Sequence, residues 1–434
     1  MKKTKVIISL MFISQMAMGE SLQYFIKYGL ENNRYAEAIN LRMQSASDQL
    51  KAQKISVYSP SLSISSSFGQ SRSKSDFSTN SSNSQSYGVG SNLNIYNGGS
   101  DVAGVKAAEA RFKALDATYN SSNSFIRNTN ADTASNIFNS YLSLSDAITF
   151  YKFYSNYIFL LEKTKKIAVT TDQLQRLQQR IDSQKVNIQQ YKNNINQNTV
   201  ALKFYSYNEQ ADFGSIDSTY KMANSIQIPE TADAAVTEAM NNSPDVNITK
   251  YNLEAAQYER EADKGRLFRP RIDLQVGTSF NSSKSDDYRS ESSSQYVGLS
   301  ISYSIDGGVV YRNNASANSL AAAESENIAT IDNLKFDLES SYLSLKSLND
   351  TFNLTSENLV KDQNIIESVM RGIEQGQKYE LESVLGYLSS YSSNFQIAQS
   401  SIYRLASSKF ETQKTIGTLF SEVKVDPRIL KKYK

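Results

Sequence analysis

The residue types that most often carry out chemistry in proteins are missing from this chain. Its 434 residues include no His and no Cys. His is the commonest general base and metal ligand, and Cys provides thiolate nucleophiles and disulfides. Most hydrolase, protease and zinc-site schemes therefore lack a necessary group. The 46 Lys+Arg and 44 Asp+Glu residues nearly balance, which gives no electrostatic reason to bind nucleic acid. We expect no catalytic site, no cofactor, no metal and no nucleic-acid partner.

Proline and paired glycines mark the same arrangement twice, about 210 residues apart. Pro60 precedes a run that ends at Gly98-Gly99, and Pro270 precedes a run that ends at Gly307-Gly308. The segment Ser140-Tyr141-Leu142-Ser143-Leu144 recurs as Ser341-Tyr342-Leu343-Ser344-Leu345. A repeat of this length is too long for a solenoid unit. The chain is predicted to be a tandem pair, with one β-hairpin between long helices in each half.

The two hairpins are predicted at about residues 61–96 and 271–305. Proline disfavours helical geometry in the residue before it, and glycine allows the turn back into a helix, so these residues are the helix–strand switches. Alternate positions share an apolar face: Leu62, Ile64, Ser66, Phe68, Tyr87, Val89, Leu93 and Ile95, then Ile272, Leu274, Val276, Thr278, Phe280, Val297, Leu299, Ile301, Tyr303 and Ile305. Tyr96 and Tyr296 add aromatic residues near the strand ends.

The opposite strand faces offer mostly Ser, Gly and Asn. Residues 71–86 are predicted to be a Ser/Asn-rich loop, which leaves strands of about 10 residues, the length that crosses a bilayer at a tilt. A soluble hairpin packed on a core is the alternative for any single pair of strands. The long flanking helices and the polar second face favour a membrane hairpin.

Long helices are predicted over residues 22–57, 102–169 and 309–375, with further helices returning from the last two. Apolar residues recur every seventh position, which is typical of coiled-coil packing. The repeating positions are Leu174, Ile181, Ile188, Ile195 and Leu202, then Leu338, Leu345, Phe352, Leu359, Ile366 and Ile373. The last helix has two such seams, one through Leu381, Leu388, Phe395, Ile402 and Ile416 and one through Val384, Tyr391, Ala398, Leu405 and Leu419. Two seams predict a neighbour on each side.

The domain division follows from the repeat. Residues 1–19 are predicted to be a signal peptide, with Lys2, Lys3 and Lys5 before an apolar run and cleavage before Glu20. The first repeat is 20–205, a small mixed region is 206–243, the second repeat is 244–422, and 423–434 is a tail. Four membrane strands cannot close a barrel, because the smallest has eight and open edges are not tolerated in lipid. Several chains must then share one barrel, with eight strands in a dimer or twelve in a trimer.

These features resemble the TolC family of outer-membrane export channels. The resemblance is carried by Glu20-Ser21-Leu22, Pro60, Pro270, Ile95-Tyr96-Asn97-Gly98-Gly99, Ile305-Asp306-Gly307-Gly308, Asn242-Ser243-Pro244-Asp245-Val246, the Tyr-Leu-Ser-Leu pair at 141–144 and 342–345, Gly376–Leu385 and Ile416-Gly417-Thr418-Leu419. It implies a mainly α fold with membrane β: long coiled-coil helices in a periplasmic α-barrel, and two hairpins per chain in a 12-stranded outer-membrane barrel shared by a homotrimer.

The resemblance also implies a function. The family members complete tripartite efflux or type I secretion systems, so the expected partners are outer-membrane lipid, a periplasmic adaptor protein and an inner-membrane ABC or proton-driven pump. The expected location is the outer membrane with a large periplasmic part. The alternative is a structural or adhesive coiled-coil surface protein without a pore.

The two helical turns would be the periplasmic tips. The resemblance assigns adaptor contacts to Thr170, Thr171, Asp172, Gly376 and Gln377. It also assigns a periplasmic gate to the residues just beyond the second turn: Lys378, Glu380, Glu382 and Ser383. A ring of carboxylates would favour cations, and Lys378 could latch a closed state. The alternative is that the two Glu are simply solvated near a helix N-terminus. The first tip lacks the glycine that the second has.

Overall fold

The structure is a computed structural model that describes residues 22–32, 34–75, 78–119, 127–209, 216–285, 288–303 and 308–418. The predicted signal peptide, the predicted C-terminal tail, Ile305, Gly307 and Leu419 lie outside the described residues. The described chain is mostly helical, with one sheet of four strands.

The helices follow the predicted order. They are α1 (Leu22–Glu31), α2 (Arg34–Tyr58), α3 (Ser100–Tyr119), α4 (Arg127–Thr164), α5 (Thr171–Ser206), α6 (Thr219–Ser225), α7 (Ala232–Asn242), α8 (Pro244–Phe268), α9 (Val309–Glu374) and α10 (Leu381–Ile416). A short 3-10 turn, Lys165–Ile167, follows α4. The strands are β1 (Ser61–Ser75), β2 (Ser78–Asn97), β3 (Arg271–Ser285) and β4 (Arg289–Ser302).

The prediction of one continuous helix over residues 22–57 is wrong, because the structure has two helices there, α1 and α2. Asn32 ends α1: its backbone N–H donates to the Tyr28 carbonyl at 3.1 Å, and its side-chain Nδ2 donates to the same oxygen at 2.8 Å. Asparagine competes for backbone hydrogen bonds in this way and weakens a helix interior. The prediction for residues 309–375 is confirmed by α9, which runs unbroken for 66 residues.

The predicted loop at residues 71–86 is also wrong. Residues 71–75 continue β1 and residues 78–86 belong to β2, and the two strands pair antiparallel from Ser61 opposite Asn92 to Ser75 opposite Ser78. Serine hydroxyls support the ladder on its polar face: the hydroxyls of Ser67 and Ser86 lie 2.6 Å apart, and Ser84 donates to the Gly69 carbonyl at 3.3 Å. Serine and asparagine favour turns locally, but a long ladder of paired backbone groups outweighs that preference here.

The chain forms two compact units. One comprises Met1–Ile39, Thr118–Val246 and Ile331–Lys434, and the other comprises Asn40–Ala117 and Asn247–Thr330. The first unit holds most of the large buried side chains, in clusters contributed by α1, α4, α5, α9 and α10. The Phe153 and Phe395 rings stack at 3.7 Å between centroids, which joins the helices of the first repeat to those of the second.

The predicted heptad seams are largely buried in the first unit. In α9 the residues Leu338, Leu345, Leu359, Ile366 and Ile373 are buried, and Phe352 is half-buried. Both seams of α10 are buried as far as Ile416. In α5, Ile181 and Leu202 are buried, Ile188 and Ile195 are half-buried, and Leu174 is exposed close to the turn. The helix α10 contacts α4 through the stacked Phe153 and Phe395 rings, and it contacts α9 through the hydrogen bond from Asn394 Nδ2 to Asp362 Oδ2 at 2.7 Å. That each seam has its own neighbour on one side of the helix stays a prediction.

The second unit contains the sheet, whose strands are all antiparallel in the order β1-β2-β3-β4. The two hairpins are joined by pairing of β2 with β3, from Ser82 opposite Ser285 to Asn97 opposite Arg271. A bulge between Asn94 and Tyr96 shifts the register, so Ile95 is the extra residue and Tyr96 pairs with Ile272. The apolar alternation of β2 therefore passes from Leu93 to Tyr96 through the bulge, and the place of Ile95 in it stays a prediction.

Candidate functional site

One face of the sheet is apolar and open to its surroundings. Across the four strands Leu62, Ser91, Val276 and Val297 form one row, and Ile64, Val89, Thr278 and Gln295 form the next. Leu62, Ile64 and Val297 are 71%, 78% and 76% exposed, so they are not a core in this chain. A contiguous exposed apolar face of this extent marks a surface that contacts lipid or protein.

The apolar rows have the dimensions of a membrane band. They run from the row of Ile272 to the row of Phe280, eight residues or about 27 Å along the strand, which is about 21 Å along the normal at a tilt of about 40°. Phe68 and Tyr87 pack edge to face at 6.0 Å beside Phe280 at the upper border. Charged residues follow beyond it, with Arg289 paired to Glu291 at 2.5 Å. Aromatic borders and charges beyond them are typical of membrane strands.

The opposite face of the sheet is polar and carries small side chains. Its rows are Asn94, Asp273 and Ser300; Ser61, Asn92, Gln275 and Gly298; and Ser63, Gly90, Gly277 and Tyr296. Arg271 Nε donates to Asp273 Oδ2 at 2.7 Å at the base of this face. A face of hydroxyls, amides and glycines suits contact with water, as the interior of a membrane barrel requires.

Both edges of the sheet lack a second neighbour. Within the described strands β1 pairs only with β2, and β4 pairs only with β3. Among the residues that the structure describes, their outer N–H and C=O groups have no strand partner, and such groups cannot remain unsatisfied in lipid. An apolar face together with two open edges is therefore an incomplete barrel.

The predicted helix–strand switches lie where the sequence places them. Pro60 and Pro270 each stand immediately before a strand, and Gly98 and Gly99 adopt φ of 62° and 80° between β2 and α3. The Gly99 carbonyl accepts from Ala103 N at 3.1 Å, and the Gly308 carbonyl accepts from Arg312 N at 3.0 Å. Gly99 and Gly308 thus start the helices that follow them, in the same way in both repeats.

The switches of the two repeats also touch one another in the second unit. Arg269 Nη1, next to Pro270, donates to the Gly98 carbonyl at 2.9 Å. Gly265 of α8 lies so close that a Cβ there would be 2.6 Å from the Gly98 oxygen. Only glycine allows this approach. Gly98, where the first repeat changes from strand to helix, therefore contacts Gly265 and Arg269, where the second repeat changes from helix to strand.

The first helical turn contains Thr170, Thr171 and Asp172. Thr170 is the N-cap of α5: its hydroxyl accepts from Gln173 N at 3.2 Å, and Gln173 Oε1 accepts from the backbone N–H of Thr170 at 3.2 Å. This is a capping box. Asp172 pairs with Arg176 at 3.0 Å on the surface of α5. Thr170 and Asp172 thus both have partners on α5, Thr170 at Gln173 and Asp172 at Arg176.

The second helical turn is built on glycine. Gly376 has φ of 79°; its N–H donates to the Ile373 carbonyl at 3.1 Å, and Gln377 N donates to the Gly372 carbonyl at 2.9 Å. These two bonds form a Schellman motif, which ends α9. The glycine missing from the first turn is replaced there by the 3-10 turn and the extended Ala168 that follows it.

The four predicted gate residues lie within this turn and the first turn of α10, all exposed. Glu380 is the N-cap of α10 and makes no side-chain capping bond, while Ser383 Oγ donates to Glu380 Oε2 at 3.2 Å. Lys378 does not come together with either Glu in an ion pair within the described part of the chain. The geometry in one chain fits both a solvated helix start and a carboxylate presented to a neighbouring chain.

An ion pair between the ends of α4 and α9 was not predicted. Lys163 Nζ lies 2.6 Å from Glu374 Oε1 and 4.7 Å from the centroid of the Phe159 ring. The hydrogen bond from Lys163 holds the pKa of Glu374 below its usual value. The two residues are 211 positions apart, so no local pattern could have paired them.

A second unpredicted group is a partly buried carboxyl in the first unit. Gln399 Nε2 of α10 donates to Asp146 Oδ1 of α4 at 2.8 Å and to Thr219 Oγ1 of α6 at 3.2 Å. Burial raises the pKa of Asp146 to about 6, and the bond from Gln399 opposes the shift. This network ties the short helix α6 to the long helices.

None of the helices in the described ranges has an 18-residue stretch apolar enough to cross a membrane. The structure resembles several solved outer-membrane channels. It superposes on the Campylobacter jejuni CmeC outer membrane channel with a TM-score of 0.73 and 16% identity, covering 98% of this chain and 95% of that one. It superposes on the open state of the Neisseria gonorrhoeae MtrE outer membrane channel with a TM-score of 0.71 and 17% identity, covering 92% of this chain and 90% of that one. On the outer membrane protein VceC from Vibrio cholerae the TM-score is 0.71 and the identity 14%, covering 91% of this chain and 96% of that one.

At these identities the superpositions show the fold, and they confirm the predicted fold class of long helices with membrane hairpins. No curated protein sequence matches the chain at a significant level. The profile of one family, described as outer membrane efflux protein, matches residues 26–152 in the first repeat and residues 235–384, which begin in the mixed region and continue into the second repeat. That match covers well over half of the chain and confirms the resemblance found in the sequence. The chain therefore belongs to the outer membrane efflux protein family.

Proposed function

We propose that this chain is one subunit of a homotrimeric exit duct that passes cargo through the outer membrane. Three four-stranded sheets would close a barrel of twelve strands. A periplasmic adaptor and an inner-membrane pump, of the ABC or the proton-driven class, would deliver the cargo and supply the energy. The duct itself would be passive, which agrees with a sequence that has no His and no Cys.

The observation that carries this proposal is the sheet with one exposed apolar face and two open edges. A single chain placed in lipid would leave the outer edges of β1 and β4 without hydrogen-bond partners, at several kcal/mol for each group. Pairing β4 of one copy with β1 of the next satisfies both edges at once. The polar face then lines a water-filled lumen, and the apolar face contacts lipid.

Exposed apolar residues on two helices of the first unit give independent support. Val186, Val200 and Phe204 are exposed on α5, and Phe336, Leu343 and Leu354 are exposed on α9. Long helices that keep apolar residues exposed in one chain are typical of helices that pack against another copy. We infer that α5 of one subunit packs against α9 of the next, in a wall of helices that continues the duct.

The two helical turns are proposed as the end of the duct that meets the adaptor. Thr170, Thr171, Asp172, Gly376 and Gln377 would form the contact surface. Glu380 and Glu382 would place their carboxylates in a ring when three copies assemble, with Ser383 holding Glu380 in position. Such a ring attracts cations and narrows the pore. In this gate Lys378 would pair with a carboxylate of the neighbouring copy.

Strand pairing between copies gives the sharpest test. The chain has no cysteine, so introduced pairs are the only thiols. Ser65→Cys on β1 would be combined in turn with Ser292→Cys, Ser294→Cys and Gly298→Cys on β4, all on the polar face. Within one sheet β1 and β4 are three strand spacings or about 14 Å apart, too far for a disulfide, which needs Cα atoms within about 7 Å.

Mild oxidation of the purified outer-membrane protein should link chains to each other for one of the three pairs and give dimers and trimers on a denaturing gel. Each single-cysteine variant is the control. A protein recovered from the periplasm as a soluble species, without links for any pair, would contradict the duct and favour the coiled-coil surface protein.

Two cargo classes fit a duct of this kind, drugs and secreted proteins. A strain that lacks the gene would become sensitive to several drugs in the first case and would lose particular proteins from its medium in the second. Wild-type resistance together with an unchanged set of secreted proteins would argue against a role in export.

A further inference from the structure

Tyr296 is the one aromatic residue on the polar face of the described strands. Phe68, Tyr87, Tyr96 and Phe280 all lie on the apolar face. Tyr296 alternates with Val297 and Leu299, so its side chain points away from the apolar face and is 50% exposed. The sequence predicts Tyr296 only as an aromatic residue near a strand end, and the register adds that it lies on the polar face.

The Tyr296 ring lies flat over the neighbouring strands β3 and β2 instead of projecting away from the plane of the sheet. Gly277 on β3 is directly opposite Tyr296, and Gly90 on β2 is directly opposite Gly277. A Cβ added to Gly277 would be 2.5 Å from both Cζ and the hydroxyl oxygen of Tyr296, well inside contact distance. A Cβ added to Gly90 would be 3.4 Å from the same hydroxyl oxygen. The ring therefore rests on Gly277 and reaches toward Gly90.

Glycine inside a strand costs stability, because it adds entropy to the unfolded chain and has no side chain to pack. An aromatic ring laid over a cross-strand glycine recovers part of that contact. Gly298, next to this row on β4, has open space where a Cβ would be and shows no such contact. Gly277 thus has a specific neighbour, and Gly298 does not.

We propose that Tyr296 sets the inner diameter of the membrane part of the duct. Gly277, which has no side chain, lets the Tyr296 ring lie flat against the barrel wall, and this keeps the lumen wide. This inference rests on the proposed function, in which the polar face lines the lumen. Twelve strands at about 4.8 Å spacing and about 40° tilt enclose a barrel roughly 24 Å across between backbones. Three upright tyrosines at one level would occupy a large part of that width. Three flat ones leave it open.

Polymer exclusion measures this bore directly. Wild-type protein in planar lipid bilayers would be exposed, from the outer side only, to uncharged polyethylene glycols of increasing size, and the size that no longer lowers the conductance gives the cut-off. Gly277→Ala should lower the cut-off, because the methyl group lifts the ring into the lumen. The Gly277→Ala/Tyr296→Ser double variant should restore it, and Gly298→Ala should match the wild type.

An unchanged cut-off in Gly277→Ala, or a lowered cut-off that persists in the double variant, would overturn the proposal. Failure of the proposed function looks different, because then the wild type itself would form no pore.

A second measurement does not depend on the folding of Gly277→Ala. The chain has no tryptophan, so Tyr296→Trp and Phe280→Trp each introduce a single tryptophan, on opposite faces of the sheet, which can be excited at wavelengths that tyrosine does not absorb. In vesicles the fluorescence of Tyr296→Trp should be quenched several-fold more by aqueous iodide than by brominated lipid, and Phe280→Trp should show the reverse. Quenching of Tyr296→Trp by brominated lipid would place residue 296 outside the lumen and end the proposal.

Discussion

The two helical turns occupy equivalent places in the two repeats and are built differently. The first turn uses its polar groups internally: Thr170 and Gln173 cap α5, and Asp172 pairs with Arg176. The second turn closes with backbone bonds around Gly376 and leaves Glu380 and Glu382 exposed, with no capping bond from the N-cap side chain. The duplicated element is thus closed in two different ways, and the second copy presents two exposed carboxylates, those of Glu380 and Glu382.

This difference separates structure from electrostatic function. A capping box stabilises a helix end by about 1 kcal/mol and fixes the entry of the chain. A Schellman turn fixes the path with the backbone alone, so the side chains next to it can be chosen for other purposes. We infer that the first turn is the structural end of the pair and that the second carries the gate.

The largest expected effect comes from removing the free charges of the second turn. In the Glu380→Gln/Glu382→Gln variant the preference for cations over anions should fall several-fold, because the proposed carboxylate ring would be the feature that attracts cations. The measurement is the reversal potential of reconstituted channels under a salt gradient. Asp172→Asn in the first turn is the matched control and should leave the preference unchanged. Equal effects from both variants would remove the distinction between the turns.

The next effect concerns the glycine that only the second turn has. Gly376→Ala places a Cβ at φ of 79° and should destabilise the turn by about 1–2 kcal/mol. Gly386→Ala, in α10 with open space around it, should instead stabilise the helix by about 0.5–1 kcal/mol. Thermal unfolding of the two variants should show shifts of opposite sign. Shifts of the same sign would show that the left-handed conformation at Gly376 is not needed.

A smaller effect is expected at the cap of the first turn. Thr170→Ala should cost about 1 kcal/mol of local stability, because Gln173 N loses its acceptor. Hydrogen exchange should accelerate in the first turn of α5 and remain unchanged in α10. Ser383→Ala is the comparison in the second turn. Its hydroxyl bonds only to the exposed Glu380 carboxylate, so exchange at the start of α10 should change little.

The smallest effect concerns the ion pair that joins the two helix ends. Both Lys163 and Glu374 are partly exposed, so Lys163→Met should lower the melting temperature only slightly at neutral pH. The pKa of Glu374 is lowered in the folded state, so the pair contributes above the unfolded pKa and its contribution is lost as the pH falls through the folded pKa. The difference between wild type and variant should therefore vanish in acid. A difference that persists there would assign it to lost packing on Phe159.

Features that depend on single residues or on a short repeating pattern were predicted well from the sequence. Pro60 and Pro270 located the starts of β1 and β3, Gly98-Gly99 located the end of β2, and the seventh-residue pattern located the buried seams of α9 and α10. The Ser/Asn run at 71–86 was misread because these residues favour turns when considered one at a time, while strand pairing is a property of two segments together. The place of Tyr296 could have been found by counting alternate positions back from Val297.

Other features had no signal in the sequence. The Lys163–Glu374 pair and the Asp146–Gln399 bond join residues more than 200 positions apart. Neither residue type nor spacing along the sequence predicts them. The same holds for the contact of Gly98 with Gly265 and Arg269. Such contacts depend on how separate elements pack, and local patterns do not contain that information.

The fastening of Gly98 to Arg269 and the pairing of β2 with β3 also have a consequence for the order of folding. Asn97 must find Arg271 across more than 170 residues, and closing a loop of that length costs roughly 4 kcal/mol more than closing a two-residue turn. Contacts between distant residues form late, whereas the adjacent helices α4 and α5 meet through a short connection. We expect the helical hairpins to be protected first in pulse-labelled hydrogen exchange and the sheet last. The apolar face of the sheet would then be completed only after the chain has been exported, which limits the time during which it is exposed to water.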